Sequence, residues 1–378
     1  MPSSIADLDQ VVAALSPDDR ARFDRLFAFN RSTARVLPPK TMEDWIVKQF
    51  RYLSEEPEGT PAWRDEVLRK VGHQRIVHVL NRVTCQATLF NAVRALKPVE
   101  AKESAALEEE IEKTRGGPFC RPLELTPENP FGRIGGAKTC ANVAAYDGWH
   151  GLVIFKEHSP LAFRDDDYTP DQVADMFATA RQWAAKVHAE DPQARFFFLM
   201  WNCLWKAAAS IIHGHAQMVV GRTFHYGKVE RLRRDAARYR AEHGTDYFND
   251  FVAAHEALGL TDRRDGEAVT TLAHLAPIKE RELVIVADDG LDSAGLPEAV
   301  WRALKGYARL DVKAFNMAVY MPPLGETDPA WADFPVQVYL VDRGDPATKS
   351  TDIGGMELYT SSVVSSDPFA VAEVVRNL

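Results

Sequence analysis

The chain has 378 residues, of which 46% are hydrophobic and 26% charged, with a formal net charge of −9. That length allows two or three domains around a sizeable core, and the acidic balance speaks against a nucleic-acid-binding surface, so no nucleic-acid partner is expected. No apolar run reaches the roughly 18 residues needed to span a membrane; the start "MPSSIADLDQVVAALSPDD" lacks the basic segment of a signal peptide; and Cys85, Cys120, Cys140 and Cys203 form no CxxC pair, which fits a reducing, cytoplasmic setting.

Residues 1–115 read as an N-terminal helical region. Ser16-Pro17-Asp18-Asp19 is a helix start, with a capping serine, proline at the first position and acids in the first turn. Thr41-Met42-Glu43-Asp44 reads the same way, and "AKESAALEEEIEKTR" is a charged surface helix ending at Gly116-Gly117-Pro118. The character then changes. "AKTCANVAAY" and "HGLVIFK" are strand-like and joined by an Asp147-Gly148 turn. "TPDQVADMFATARQWAAKVHAED" opens at a Thr-Pro cap and sets Val173, Met176, Phe177, Ala180, Ala184 and Val187 on one helical face. "ARFFFLMWN" is a buried strand, "CLWKAAA" a short loop, and "SIIHGHAQMVV" another strand.

A helical insert, "KVERLRRDAARYRAEH" and "DYFNDFVAAHEALGL", follows over 226–275. After it the order strand, helix, strand, strand recurs in "ELVIVA", "LPEAVWRALKGYARL", "AFNMAVYM" and "FPVQVYLVD". The recurrence is one of pattern and not of identity. No histidine follows His274, so the second unit cannot copy whatever the histidines of the first unit do.

Those histidines are the unusual feature. In an extended chain alternate side chains share a face, so His213, His215 and Gln217 would line up on one side of "SIIHGHAQMVV". A buried imidazole left without partners costs on the order of 1–3 kcal/mol, which leaves three readings. The row could be a hydrogen-bonded core cluster. It could hold a metal, since alternate histidines on a strand can face one ion, although no neighbouring third ligand is evident and Gln217 is a poor one. Or it could be nucleophilic: imidazole attacks phosphorus near neutral pH and forms a phosphoramidate that a second acceptor opens. The third reading needs a phosphate cradle, and Asn202, a tight loop and Ser210 lie just upstream.

The spacing Asn-x7-Ser-x2-His-x-His-x-Gln resembles the active-site motif of the galactose-1-phosphate uridylyltransferase-like branch of the histidine-triad superfamily, which also holds diadenosine tetraphosphate phosphorylases and nucleotide-sugar phosphorylases. "YDGWHGLVIFKEHSP" resembles the histidine-triad pattern GHxLVxPKxH. "TCANVAAY" resembles the stretch whose asparagine touches the nucleotide, here Asn142, and "DIGGMELYTSS" resembles the end of the family's second half. The resemblance covers about residues 116–378.

The resemblance implies an α+β fold of two histidine-triad-like units in tandem, each an antiparallel sheet with packed helices. The catalytic unit would span 116–225 and the degenerate one 276–378. It implies His215 as nucleophile, Gln217 as the amide that donates to the phosphoryl oxygen, and Asn142, Asn202 and Ser210 as neighbours of the nucleotide and its phosphates. Lys206, four residues before Ser210, could add charge there. Cys120, His158 and His213 match zinc ligands, with Gly117 in place of the fourth, so zinc is possible but no cofactor is required. Leu204 and Ala208 stand where the family loop carries glycines. Thr351 stands where it carries a lysine for the hexose phosphate.

The expected activity is nucleotidyl transfer between a nucleotide sugar and a phosphate or sugar phosphate. The competing enzyme reading is a phosphorylase acting on a dinucleotide or a nucleotide sugar. A non-catalytic nucleotide-binding protein is the remaining alternative. A homodimer is the expected assembly.

Overall fold

The computed structural model describes residues 4–94, 101–264, 268–325, 328–349 and 351–378. The N-terminal region holds α1 (Leu8–Ala13), α2 (Pro17–Leu26), β1 (Phe27–Arg35), α3 (Glu43–Gln49), α4 (Pro61–Gly72), β2 (His73–Asn81), β3 (Ala87–Phe90) and α5 (Ala101–Glu112). The Ser16 hydroxyl caps α2 by accepting the Asp19 N–H at 3.2 Å. At the second expected start a 3₁₀ turn covers Lys40–Met42, and α3 begins only at Glu43 with no side-chain cap.

Three strands accompany the helices of residues 1–115, a region that the sequence reads as helical. β1 runs antiparallel to β2 from Phe27↔Asn81 to Arg35↔His73. Most of its residues after Phe29 are exposed, so it carries no hydrophobic alternation to read. Its conformation comes from the ladder with β2, whose Val77 and Val79 are buried.

Next come α6 (Pro122–Leu125), β4 (Thr139–Ala141), β5 (Trp149–Ile154), α7 (Pro170–Glu190), β6 (Ala194–Cys203) and β7 (His215–Arg222). The insert forms α8 (Gly227–His243) and α9 (Tyr247–Ala257). Then follow β8 (Thr261–Asp262), β9 (Val269–Ala273), β10 (Glu280–Ala287), α10 (Leu296–Arg309), β11 (Ala314–Tyr320), β12 (Val336–Gly344), α11 (Gly355–Tyr359), β13 (Ser362–Val364) and α12 (Pro368–Arg376). The repeated strand-helix-strand-strand unit is therefore real: β5-α7-β6-β7 and β10-α10-β11-β12.

The two units share one sheet. Its order is β4-β5-β7-β6-β11-β12-β10-β9-β8, antiparallel throughout, and β6 and β11 join the halves. A smaller sheet, β1-β2-β3-β13, ties the N-terminal region to the C-terminus through a parallel β3–β13 pair.

The helices α7 and α10 pack side by side on one face of the large sheet. Seven apolar residues of α7, including all six expected ones and Trp183, are buried there. A Cβ on Gly151 of β5 would lie 2.5 Å from the Trp183 ring, so only glycine lets the helix sit this close. The opposite face differs between the units. In the second unit α9 lies on it, with the Phe251 ring 5.4 Å from that of His274. In the first unit that face is left for the site. Among the described residues no helix is long and apolar enough to cross a membrane.

Candidate active site

Register decides which side chains share the free face. Across β5 and β7 the pairs are Ile154↔His215, Leu152↔Gln217 and His150↔Val219. Across β7 and β6 Gln217 stands opposite Met200, and the same register carried two residues further sets Asn202 beside His215. Across β6 and β11 Asn202 pairs with Asn316. Directly opposed residues point to one face, so His150, Gln217, His215, Asn202 and Asn316 form a polar patch over four adjacent strands. Phe119, Cys140, Leu152, Ile154 and Ile211 form a small apolar cluster beside it.

The histidine row does not survive as one strand face. The strand begins at His215, and Ser210–Gly214 is a loop. A Cβ on Gly214 would lie 2.9 Å from the Phe155 ring, and the Gly214 N–H is used by the His158 carbonyl. The chain bends at His213, before the strand begins, and the two imidazoles have separate partners.

His215 is 6% exposed, with its ring edge-on to Phe119 at 5.0 Å. Its Nδ1 lies 2.8 Å from the His213 carbonyl oxygen. A carbonyl only accepts, so Nδ1 carries the proton and the neutral ring presents its lone pair at Nε2. No partner for Nε2 is found among the described residues. Burial pushes the His215 pKa below the ordinary imidazole value, which keeps the ring neutral.

Gln217 is held by His150. The Tyr146 N–H donates to His150 Nδ1 at 3.0 Å, so the ring proton sits on Nε2. Nε2 lies 3.1 Å from Gln217 Oε1 and donates to it. That occupies the amide oxygen and leaves the Gln217 NH2 group for a ligand. Asn142 lies beside the same ring: its amide nitrogen is 3.1 Å from His150 Nε2, and its oxygen accepts the Ala144 N–H at 2.9 Å. With Nε2 already protonated, the Asn142 N–H groups are donors for the adjoining space. That space is a cavity of about 700 Å³ whose lining includes Asn142, His150, Trp149, Phe224 and Tyr226.

The loop between β6 and β7 keeps the backbone shape that glycine favours without glycine. Leu204 has φ +67° and Ala208 φ +70°. Such conformations cost L-residues about 1–3 kcal/mol each. They let three N–H groups turn inward, Ala207 and Ala209 to the Leu204 carbonyl and Ala208 to that of Trp205. The main-chain N–H groups of Ser210, Ile211, Ile212 and His213 have no acceptor among the described residues. Four consecutive free donors just before His215 suit a phosphate. Ser210 is exposed, with its hydroxyl in the same segment. Lys206 faces elsewhere: its ammonium donates to the Thr348 carbonyl at 3.1 Å, and the Trp205 indole donates to that of Pro346.

His213 goes to the third group of residues. The Sγ of Cys120 lies 3.3 Å from His158 Nδ1 and 3.5 Å from His213 Nδ1, and the two Nδ1 atoms are 3.4 Å apart. Each ring has its Nε2 on a main-chain carbonyl, His158 on Ile111 at 3.1 Å and His213 on Phe155 at 2.9 Å. Both Nδ1 lone pairs therefore converge with the sulfur, an arrangement that a cation relieves. The donor set N, N, S suits zinc. Gly117 offers no side chain for a fourth position.

Sequence reasoning missed His150, Phe119 and Asn316. His150 stood at the first histidine of the GHxLVxPKxH-like stretch, and Asn316 was a lone amide in the apolar run "AFNMAVYM". Both signals were present; the partners that give them meaning are 67 and 114 residues away.

No family model and no curated protein matches this chain. Its fold is similar to that of an ADP-glucose phosphorylase from Arabidopsis thaliana with bound ADP-glucose (TM-score 0.59, 16% identity, 79% of this chain and 98% of that one). It is also similar to a GalT-like protein from Arabidopsis thaliana (0.56, 18%, 70% and 92%) and to a uridylyltransferase (0.54, 13%, 80% and 98%). At these identities the likeness establishes the fold alone: α+β, with two strand-helix-strand-strand units sharing one antiparallel sheet.

Proposed function

We propose that this chain is a nucleotidyltransferase that works through a nucleotidyl-histidine on His215. The observation that carries the reading is the His215 tautomer: Nδ1–H is spent on the His213 carbonyl, which leaves the Nε2 lone pair without a partner among the described residues, on the sheet face that also carries the Gln217 and Asn202 amides. The fold it shares with a uridylyltransferase and an ADP-glucose phosphorylase supports the same general chemistry.

In the first step Nε2 attacks the α-phosphorus of a nucleotide sugar. The P–N bond forms as the P–O bond to the sugar phosphate breaks, and the leaving phosphate takes the electron pair without needing a strong acid. The ring gains positive charge, which the His213 carbonyl stabilises through Nδ1–H. In this reading the NH2 groups of Gln217 and Asn202 and the free N–H groups of Ser210–His213 would donate to the phosphoryl oxygens. In the second step an acceptor phosphate oxygen attacks phosphorus and the P–N bond breaks, restoring neutral His215. The cavity beside Asn142 and His150 is of the size that takes a nucleoside. Cys120, His158 and His213 would hold a zinc ion structurally, fixing the His213 carbonyl that orients His215.

The second reading is a phosphorylase, in which inorganic phosphate is the acceptor. Thr351 replaces the lysine that the resemblance implies for a hexose phosphate, and the nearby cations Lys279 and Arg343 are already bonded to Asp352. Intact-mass measurement after incubation with UDP-, ADP- and GDP-sugars separately tests the first step, because the adduct mass names the nucleotide. Discharge of that adduct by phosphate or by a hexose 1-phosphate separates the two acceptors. No adduct with any donor would refute the proposal.

A further inference from the structure

Asn316 lies on β11, in the unit without a catalytic histidine, yet its side chain works across the junction of the two halves. Its Nδ2 donates to Asn202 Oδ1 at 2.7 Å and to the Ala207 carbonyl at 3.0 Å. Its Oδ1 accepts from Arg343 Nη1 at 2.5 Å. Arg343 is in turn held by Asp352, Nε to Oδ2 at 2.7 Å and Nη2 to Oδ1 at 2.9 Å.

The polarity of this relay is not free to reverse. Guanidinium has five donors and no acceptor, so the group that faces Arg343 must be the Asn316 oxygen. The Asn316 nitrogen then faces Asn202, and the group that receives it must be the Asn202 oxygen. What remains of Asn202 is its NH2, half-buried, without a partner among the described residues, on the face it shares with His215.

We infer that Asn316, fixed by Arg343 and Asp352, is a positioning residue that turns the Asn202 amide so that its N–H groups, and not its oxygen, meet the phosphoryl group transferred to His215. The inference rests on the nucleotidyl-transfer reading above. It gives the second unit a defined part in a reaction whose bond-making residues all lie in the first. The two units meet edge to edge at β6 and β11, and Asn202↔Asn316 is one of the five cross-strand pairs at that edge.

Two substitutions separate this role from a simple clamp. In Asn316→Asp both carboxylate oxygens accept, one from Arg343 and one from Asn202. Asn202 must then rotate its NH2 away and present its oxygen to the phosphoryl group. In Asn316→Ala Asn202 is released but not reversed. The Ala207 carbonyl loses its donor in both variants, so that loss cancels between them.

The measurement is the maximal rate of nucleotidyl-His215 formation, read by intact mass with the donor that labels the wild type, together with the half-saturating donor concentration and the thermal midpoint. Asn316→Asp should lower the maximal rate about 100-fold, the size expected for a lost phosphoryl donor, and Asn316→Ala about 10-fold. Half-saturation should stay within about threefold, and Asn316→Asp should be at least as thermostable as Asn316→Ala, since it keeps the bond to Arg343. In an Asn202→Ala background the two variants should react at the same rate. A clamp predicts the opposite order, with near-isosteric aspartate milder than alanine. That order, or an excess loss in Asn316→Asp that persists when Asn202 is alanine, overturns the inference. Failure of the wild type to form any adduct removes the nucleotidyl-transfer reading and this inference with it; a labelled wild type with an unimpaired Asn316→Asp removes this inference alone.

Discussion

Nδ1 of His215 donates to the carbonyl oxygen of His213, two residues back along the same chain, at 2.8 Å. The bond leaves Nε2 as the nitrogen with a lone pair, the one the proposed transfer would use, and ties His215 to the loop that holds His213. His215→Ala should abolish adduct formation with every nucleotide donor, while the wild type takes up at most one nucleotide per chain. The limit of one follows from the second unit, where Gln337, Tyr339 and Val341 occupy the corresponding face of β12. Intact mass gives both numbers. A labelled His215→Ala protein or a doubly labelled wild type would contradict the assignment.

Gln217 should act as a donor whose orientation depends on His150. Gln217→Ala should raise the barrier to transfer by about 2–4 kcal/mol. Gln217→Glu should do at least as much harm, because its carboxylate still accepts from His150 but meets the phosphoryl oxygens with like charge. His150→Phe keeps the ring volume and frees the amide to rotate, so its loss should be smaller than that of Gln217→Ala. Single-turnover rates decide the order; wild-type speed in Gln217→Ala would reduce Gln217 to packing.

The Cys120, His158 and His213 group should bind zinc more weakly than a four-ligand structural site, because Gly117 supplies no thiolate. Metal analysis of protein purified without added zinc should give less than one ion per chain. Chelation should lower the thermal midpoint, and Cys120→Ala should remove both the metal and that shift. Activity should outlast the zinc. One tightly held ion per chain, with activity lost on chelation and restored on zinc return, would show that three side chains suffice and that the metal is needed.

Ala208 sits at φ +70°, where a side chain is strained and glycine is not. Ala208→Gly should therefore stabilise the protein by up to about 1 kcal/mol, the strain relieved less the larger entropy of the unfolded glycine. Leu204→Gly should not, since the Leu204 side chain is fully buried and its loss leaves a cavity. Denaturant midpoints at constant slope test both; a destabilised Ala208→Gly would mean that the methyl group is packed more tightly than its backbone is strained.

Acid should unfold the chain through its buried neutral histidines. Burial lowers His225 to about 4 and His255 to about 3. His225 is set against the Met321 carbonyl and the Tyr226 N–H, with Glu230 nearby; His255 is set against the Phe251 carbonyl and the Leu275 N–H, with His274 beside it. The unfolded chain protonates both near pH 6.5, so it binds more protons than the fold between 6.5 and the lowered values. Stability is then complete above about 6.5 and falls as pH drops through that window, by about 1.4 kcal/mol per pH unit for each histidine. Thermal midpoints should be level from pH 8 to 7 and descend steadily from 6.5 to 4.5. A level curve down to 4.5 would show that these rings charge inside the fold.

Much of this was legible in the order of residues. The helical period of α7, the apolar run of β6, the repeat of strand-helix-strand-strand and the spacing from Asn202 to Gln217 are local or regular patterns, and local patterns follow from side-chain geometry along one element. The separate fates of His213 and His215 were not legible. An alternating row predicts one shared face only while the chain stays extended, and the strand starts too late, at His215, after a bend at His213. The N-terminal strands were hidden for a related reason: β1 is mostly exposed and takes its shape from β2. Asn316 shows the limit most clearly. Its amide has no meaning along the sequence, because its role depends on the pairing of β6 with β11, on Arg343 and on Asp352. Sequence alone settled which groups could do chemistry. Tertiary structure decided which of their atoms are free to do it, because the fold sets the hydrogen bonds that choose each tautomer and orientation: main-chain groups of near neighbours for the rings of His215 and His150, and side chains far along the chain for the amides of Gln217 and Asn202.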